Sequence, residues 1–80
     1  LKYKTTIEGE EFSSVFRFHA RAYRIRADGK PTWAYAKAHD RDRLMKRISN
    51  EEENPFTTEI KLYDLLTGEV RVFKPTAKEP

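Results

Sequence analysis

Between Val15 and Ala22 apolar and polar side chains alternate: Phe16, Phe18, Ala20 and Ala22 fall on one side, Arg17, His19 and Arg21 on the other. The alternation resumes from Trp33 to His39, where Ala34, Ala36 and Ala38 oppose Trp33, Tyr35, Lys37 and His39. A period of two is that of a β-strand with unlike faces. Between the two stretches, Ala27-Asp28-Gly29-Lys30-Pro31 has the composition of a turn. If those five residues form the loop, Arg26 stands opposite Thr32, and Ala22 pairs with Ala36, Ala20 with Ala38, Tyr23 with Tyr35, Ile25 with Trp33 and Arg21 with Lys37. Opposed residues share a face. One face of this hairpin is then Phe and Ala, and the other is Arg, His, Lys, Tyr and Trp. Phe12, Val15, Phe16, His19 and Tyr23 also fall at helical spacing. Phe18 and Ile25 would sit badly on that helix, and the mirrored alternation would be coincidence, so the strand reading is preferred.

Upstream, Leu1 to Glu8 sets Tyr3, Thr5 and Ile7 against Lys2, Lys4 and Thr6, predicting a strand that breaks at Gly9-Glu10-Glu11. After His39 the period changes. Asp40 is a candidate N-cap, and Leu44, Met45 and Ile48 line one helical face among Arg41, Arg43, Lys46 and Arg47. That helix ends before Pro55, with Ser49 and Glu52 also fitting a capping box and a second short turn. Glu59 to Leu65 and Glu69 to Phe73 flank Leu66-Thr67-Gly68 as a second hairpin. Pairing Leu65 with Glu69 sets Leu62 opposite Val72, Asp64 opposite Val70, Lys61 opposite Phe73 and Tyr63 opposite Arg71.

The predicted order is β-β-β-α-β-β: an α+β domain with an antiparallel sheet of about five strands and one helix packed on its apolar face. Small alanines on that face let a helix approach closely. An open twisted sheet and a five-stranded OB-like barrel both accommodate the order. Residues 1–75 are expected to form a single domain and residues 76–80 a flexible tail. The sequence opens on Leu1 rather than Met, which fits a domain cut from a longer protein.

Composition narrows the chemistry. Eighty residues sustain one small domain with a thin core, burying about 60–65% of the extended-chain surface. The absence of cysteine removes disulfides, thiolate metal sites and a Cys nucleophile, and suits an intracellular setting, cytoplasmic or nucleoid-associated. No apolar run has the length of a membrane span or the character of a signal peptide. The formal net charge is only +3, but Val15 to Ile48 holds ten Lys or Arg against three Asp, a local excess of seven positive charges. A segregated basic region attracts polyanions more than net charge implies.

The candidate site is therefore the aromatic-basic face: Arg17, His19, Arg21, Tyr23, Trp33, Tyr35 and Lys37, with Arg24 nearby. If the sheet is continuous, Lys61, Tyr63, Arg71 and Phe73 extend it. Cations neutralise phosphates, and exposed rings stack on unpaired bases for about 1–3 kcal/mol each. The expected function is a non-enzymatic nucleic-acid-binding module, with single-stranded DNA or RNA favoured as partner. The alternative is a protein–protein interaction module, an inhibitor or adaptor, using the same Trp, Tyr and Arg as a hot spot. A third reading makes the rings core and the cations their cover. His19 and His39 fall opposite one another in the five-residue-loop register, but no third ligand accompanies them, so no metal site or cofactor is expected. Ser13 and Ser14 lie in no Gly-x-Ser-x-Gly elbow, the glycines are too scattered for a phosphate loop, and no catalytic residues are predicted.

Overall fold

The structure, a computed structural model, describes residues 1–75; the tail expected over residues 76–80 lies outside the described part. In chain order it comprises β1 (Tyr3–Ile7), β2 (Glu10–Ser14), β3 (Phe18–Ile25), β4 (Pro31–Ala38), α1 (Arg41–Glu51), β5 (Thr57–Asp64) and β6 (Val70–Phe73). The fold is α+β. A four-stranded antiparallel sheet has the order β4-β3-β5-β6, and β1 and β2 form a separate two-stranded sheet. Because β4 and β5 both run antiparallel to β3, they are parallel to each other, and α1 makes the crossover that such a pair requires. The sheet is open, with β4 and β6 as its edges, so of the two arrangements the sequence allowed, the open one is found.

The expected break at Gly9 is instead a tight reversal. Glu8 and Gly9 have φ of 53° and 79°, and Ile7 pairs with Glu10, as in a two-residue turn with both central residues left-handed. Glu10–Ser14 is thereby a strand that the sequence reading lacked.

The first long hairpin keeps its predicted faces but shifts its register by two residues. Phe18 pairs with Ala38, Ala20 with Ala36, Ala22 with Ala34, Arg21 with Tyr35 and Tyr23 with Trp33. The loop contracts to Ala27-Asp28-Gly29: the Gly29 N–H donates to the Arg26 carbonyl, the Arg26 N–H to the Lys30 carbonyl, and Gly29 sits at φ 85°. That is a type I turn closed by a glycine bulge. The predicted pairs Tyr23–Tyr35, Ala22–Ala36 and Arg21–Lys37 are therefore wrong, and His19 faces Lys37 rather than His39.

In the second hairpin the register slips by one, which exchanges the faces of β6. Leu62 opposes Arg71 and Ile60 opposes Phe73, while Tyr63 opposes Val70 and Lys61 opposes Val72. The cause is local. The Leu65 N–H donates to the Arg17 carbonyl, and the Leu65 side chain is 3% exposed, so Leu65 is held in the loop instead of on the ladder. Asp64 closes the turn, accepting from the Leu66 N–H.

Two cores sit on opposite faces of the sheet. On one, Leu44 and Ile48 of α1 meet Phe18, Ala20, Ala22, Ala38, Ile60 and Leu62, flanked by Ala34, Ala36, Met45 and Phe73. Asp40 caps the helix as expected, accepting from the Asp42 N–H at 3.0 Å. On the other, Ile7 and Phe12 of the β1–β2 hairpin cover Tyr63 and Leu65.

Candidate functional site

The sheet face turned away from α1 carries His19, Arg21 and Tyr23 from β3, Trp33, Tyr35 and Lys37 from β4, and Lys61 and Tyr63 from β5. Arg21 is at its centre and is 6% exposed. Its Nη1 and Nη2 donate to the two Glu10 carboxylate oxygens at 3.0 and 2.7 Å. The same nitrogens also donate to the hydroxyls of Tyr23 and Tyr35. The guanidinium carbon lies 4.8, 5.3 and 5.4 Å from the ring centroids of Tyr35, Trp33 and Tyr63. The Glu10 bonds hold Arg21 protonated well beyond its ordinary range, and the Arg21 donors lower the Glu10 carboxyl in return.

The β1–β2 hairpin thus brings acid onto the basic face. Its Glu8 accepts from Lys61 Nζ at 3.1 Å, which raises the Lys61 ammonium above its usual range. Phe12 lies 5.0 Å from the Tyr63 ring and edge-on to His19 at 5.7 Å. Burial under this cover pushes the His19 imidazole down, with the Lys37 charge adding to the effect, and its Nε2 has no hydrogen-bond partner among the described residues. Burial likewise pushes the Tyr63 hydroxyl up.

The remaining sequence-predicted residues divide. Arg17 is paired with the buried Asp64, donating from Nε and Nη2 at 2.9 Å each, and these bonds hold the Asp64 carboxyl below its usual range. Arg24 lies on the helix side, where its Nε and Nη2 reach Glu51 at 2.6 Å, with Thr57 donating to the same carboxylate. Arg71 also lies on the helix side, opposite Leu62, with its guanidinium over the Phe73 ring. The face expected to include Arg71 and Phe73 does not include them, because of the one-residue slip in β6. What stays open to solvent is an aromatic pair, Trp33 and Tyr35, 56% and 46% exposed with centroids 5.5 Å apart, beside the exposed Lys37.

Four cations of the expected site, Arg17, Arg21, Arg24 and Lys61, therefore have acidic partners within the chain. Lys37 has none among the described residues, nor do Arg43, Lys46 and Arg47, all exposed on α1. These helical cations are open charges that sheet-face reasoning left out. Their signal was present: positions 43, 46 and 47 lie on one helical face.

Among the described residues no three His, Asp or Glu side chains converge into a group that could hold a metal ion. Nor is any described helix long and apolar enough to cross a membrane. No protein-family model, curated protein or solved structure matches this chain.

Proposed function

We propose that this protein is a non-enzymatic nucleic-acid-binding module that takes up single-stranded DNA or RNA along β4. The supporting observation is the exposed Trp33–Tyr35 pair on an edge strand, beside the unpaired Lys37 and close in sequence to the unpaired cations of α1. Bases stack on the two rings, and phosphates meet Lys37 and the helical cations. Arg21 serves this site from beneath. It fixes the Tyr35 hydroxyl and lies against both rings, so the platform is ordered before a ligand arrives. A cytoplasmic or nucleoid-associated setting goes with this reading.

A second reading has a specific observation in its favour. With Arg21 and Lys61 neutralised by Glu10 and Glu8, the open part of the face is more aromatic than basic, as in a protein-binding hot spot. The deciding experiment titrates a dye-labelled octamer of deoxythymidine (dT8) with the protein at several salt concentrations, following the fluorescence anisotropy of the dye. Binding whose logarithm falls linearly with log salt, and which Trp33→Ala weakens by about 1–3 kcal/mol without changing that slope, supports the nucleic-acid reading. The variant must keep the wild-type amide spectrum, so that lost binding is not lost folding. Absence of dT8 binding, and of RNA and duplex binding, at low salt overturns it in favour of the protein partner.

A further inference from the structure

Where β4 runs into α1 the surface opens into a cleft of about 450 Å³, lined by Phe16, Lys37, His39, Asp40, Arg43 and Arg47 among others. We propose that this cleft is a phosphate-binding site, taking a phosphate mono- or diester against Arg43 and Arg47. The inference deepens, and rests on, the nucleic-acid reading above, since it assigns the place where the backbone of the bound strand is held.

Three observations converge on it. First, Arg43 and Arg47 stand one helical turn apart and both line the concavity, which Lys37 of the edge strand β4 borders from the opposite face of the sheet. Like charges at that helical spacing repel one another. Four cations of the sheet are by contrast answered with acids: Arg17 with Asp64, Arg21 with Glu10, Arg24 with Glu51, Lys61 with Glu8. Glu51, one turn beyond Arg47, is committed to Arg24 and Thr57 instead. Second, the single carboxylate that lines the cleft among the described residues, Asp40, is engaged by the Asp42 backbone N–H at the start of α1. Third, one wall is a ring stack: Phe16 and His39 have centroids 4.5 Å apart and planes 31° apart. A phosphate held by the cations would leave its organic substituent against that wall. Arginine forks suit phosphate oxygens in a bidentate manner. The cleft lies at the end of the strand that carries the open rings, since β4 bears Tyr35 and ends at Ala38 on the cleft lining.

Phosphate esters of two origins share this chemistry: the backbone of a single strand, and a free phosphorylated small molecule. The test separates them by recording amide spectra of the whole chain during titration with inorganic pyrophosphate and, separately, with dT8. Saturable pyrophosphate shifts at Arg43 and Arg47, abolished in Arg43→Gln/Arg47→Gln, support the site. Both arginines are exposed, so this variant should fold, and its spectrum checks that it does. If dT8 moves the same amides, and the double variant weakens dT8 binding roughly 10–30-fold in 0.1 M salt while lowering the salt slope by about 1.4, the ligand is a strand backbone. Arg43→Lys/Arg47→Lys should then restore most of the slope, because it keeps both charges. If pyrophosphate binds and dT8 does not, the cleft stands as a site for free phosphate compounds, and the nucleic-acid reading falls. If dT8 binds with an unchanged slope in the double variant and pyrophosphate moves none of these amides, the cleft is overturned and the ring platform survives.

Discussion

Arginine carries five N–H donors, and at Arg21 four are used: two on Glu10, one on Tyr23 and one on Tyr35, leaving a buried Nε without a partner among the described residues. A lysine can supply neither the planar fork nor the stacking surface that the three surrounding rings meet. Because Glu10 is 44% exposed on its side chain, part of the loss is screened by water. Arg21→Lys is therefore expected to lower stability by about 1–3 kcal/mol, read from urea unfolding; an unchanged midpoint would mean that the ring cluster holds without the guanidinium. His19, two residues back on the same face, gives a pH dependence of defined sign. Its folded-state pKa is depressed by burial, by Lys37 and by Arg21, so the unfolded chain binds the proton first. Stability should fall as pH drops below the ordinary histidine value of about 6.5. The carboxyls of Glu10, Glu51 and Asp64, all lowered by their arginines, stay ionised through this window and lose their contribution only at more acidic pH. Urea midpoints at pH 7 and 5.5 should differ for the wild type and converge in His19→Phe. Equal midpoints in the wild type would show that His19 protonates without cost.

At the scale of elements, α1 is fastened by two side chains, Leu44 and Ile48, 1% and 2% exposed, against an alanine-lined sheet. Alanines have no side-chain length with which to refill a hole, so Ile48→Ala or Leu44→Ala should each cost about 2–4 kcal/mol in chemical denaturation. A midpoint within error of wild type for both would mean that the helix is not docked there. This packing was legible in the sequence, since the alternation of Phe18, Ala20 and Ala22 and the helical spacing of Leu44 and Ile48 are intrinsic to the chain. The registers were not. Ala27-Asp28-Gly29-Lys30-Pro31 admits loops of three or five residues with identical faces, so the alternation cannot choose between them. In β6 the choice turns on Leu65, whose apolar side chain suits either a strand or a loop that buries it. Only the Arg17 carbonyl, forty-eight positions earlier, takes its N–H and decides the matter. The acids that neutralise Arg21 and Lys61 were hidden for a similar reason. Glu8 and Glu10 flank a break in the sequence, and nothing local says that the β1–β2 hairpin folds across the basic face.

The whole molecule is a slab, 46 × 25 × 15 Å with a radius of gyration of 13.3 Å, against about 11.6 Å for a compact domain of this length. A slab this thin has little depth in which to bury side chains, so its two cores depend on the sheet between them. Strand β5 joins them most directly, with Ile60 and Leu62 facing α1 while Tyr63 faces Phe12. If the hairpin core were an appendage, its loss would leave the helix core intact; if the two cores share one cooperative unit, damage to either lowers the stability of both. The cross-sheet ties favour the second. Arg21 to Glu10 and Lys61 to Glu8 anchor the hairpin to the central strands β3 and β5, and the Leu65 N–H binds the β5–β6 turn to Arg17. Phe12→Ala is therefore expected to cost about 3–5 kcal/mol and to do so globally. Far-UV circular dichroism, dominated by α1 and the long strands, and Trp33 fluorescence should report one coincident transition in the variant as in the wild type, moved to lower urea. Two separated transitions, or a wild-type midpoint by circular dichroism with only the fluorescence shifted, would show that the hairpin is a detachable cover. Arg21 and Lys61 could then be released to a polyanion without unfolding the sheet.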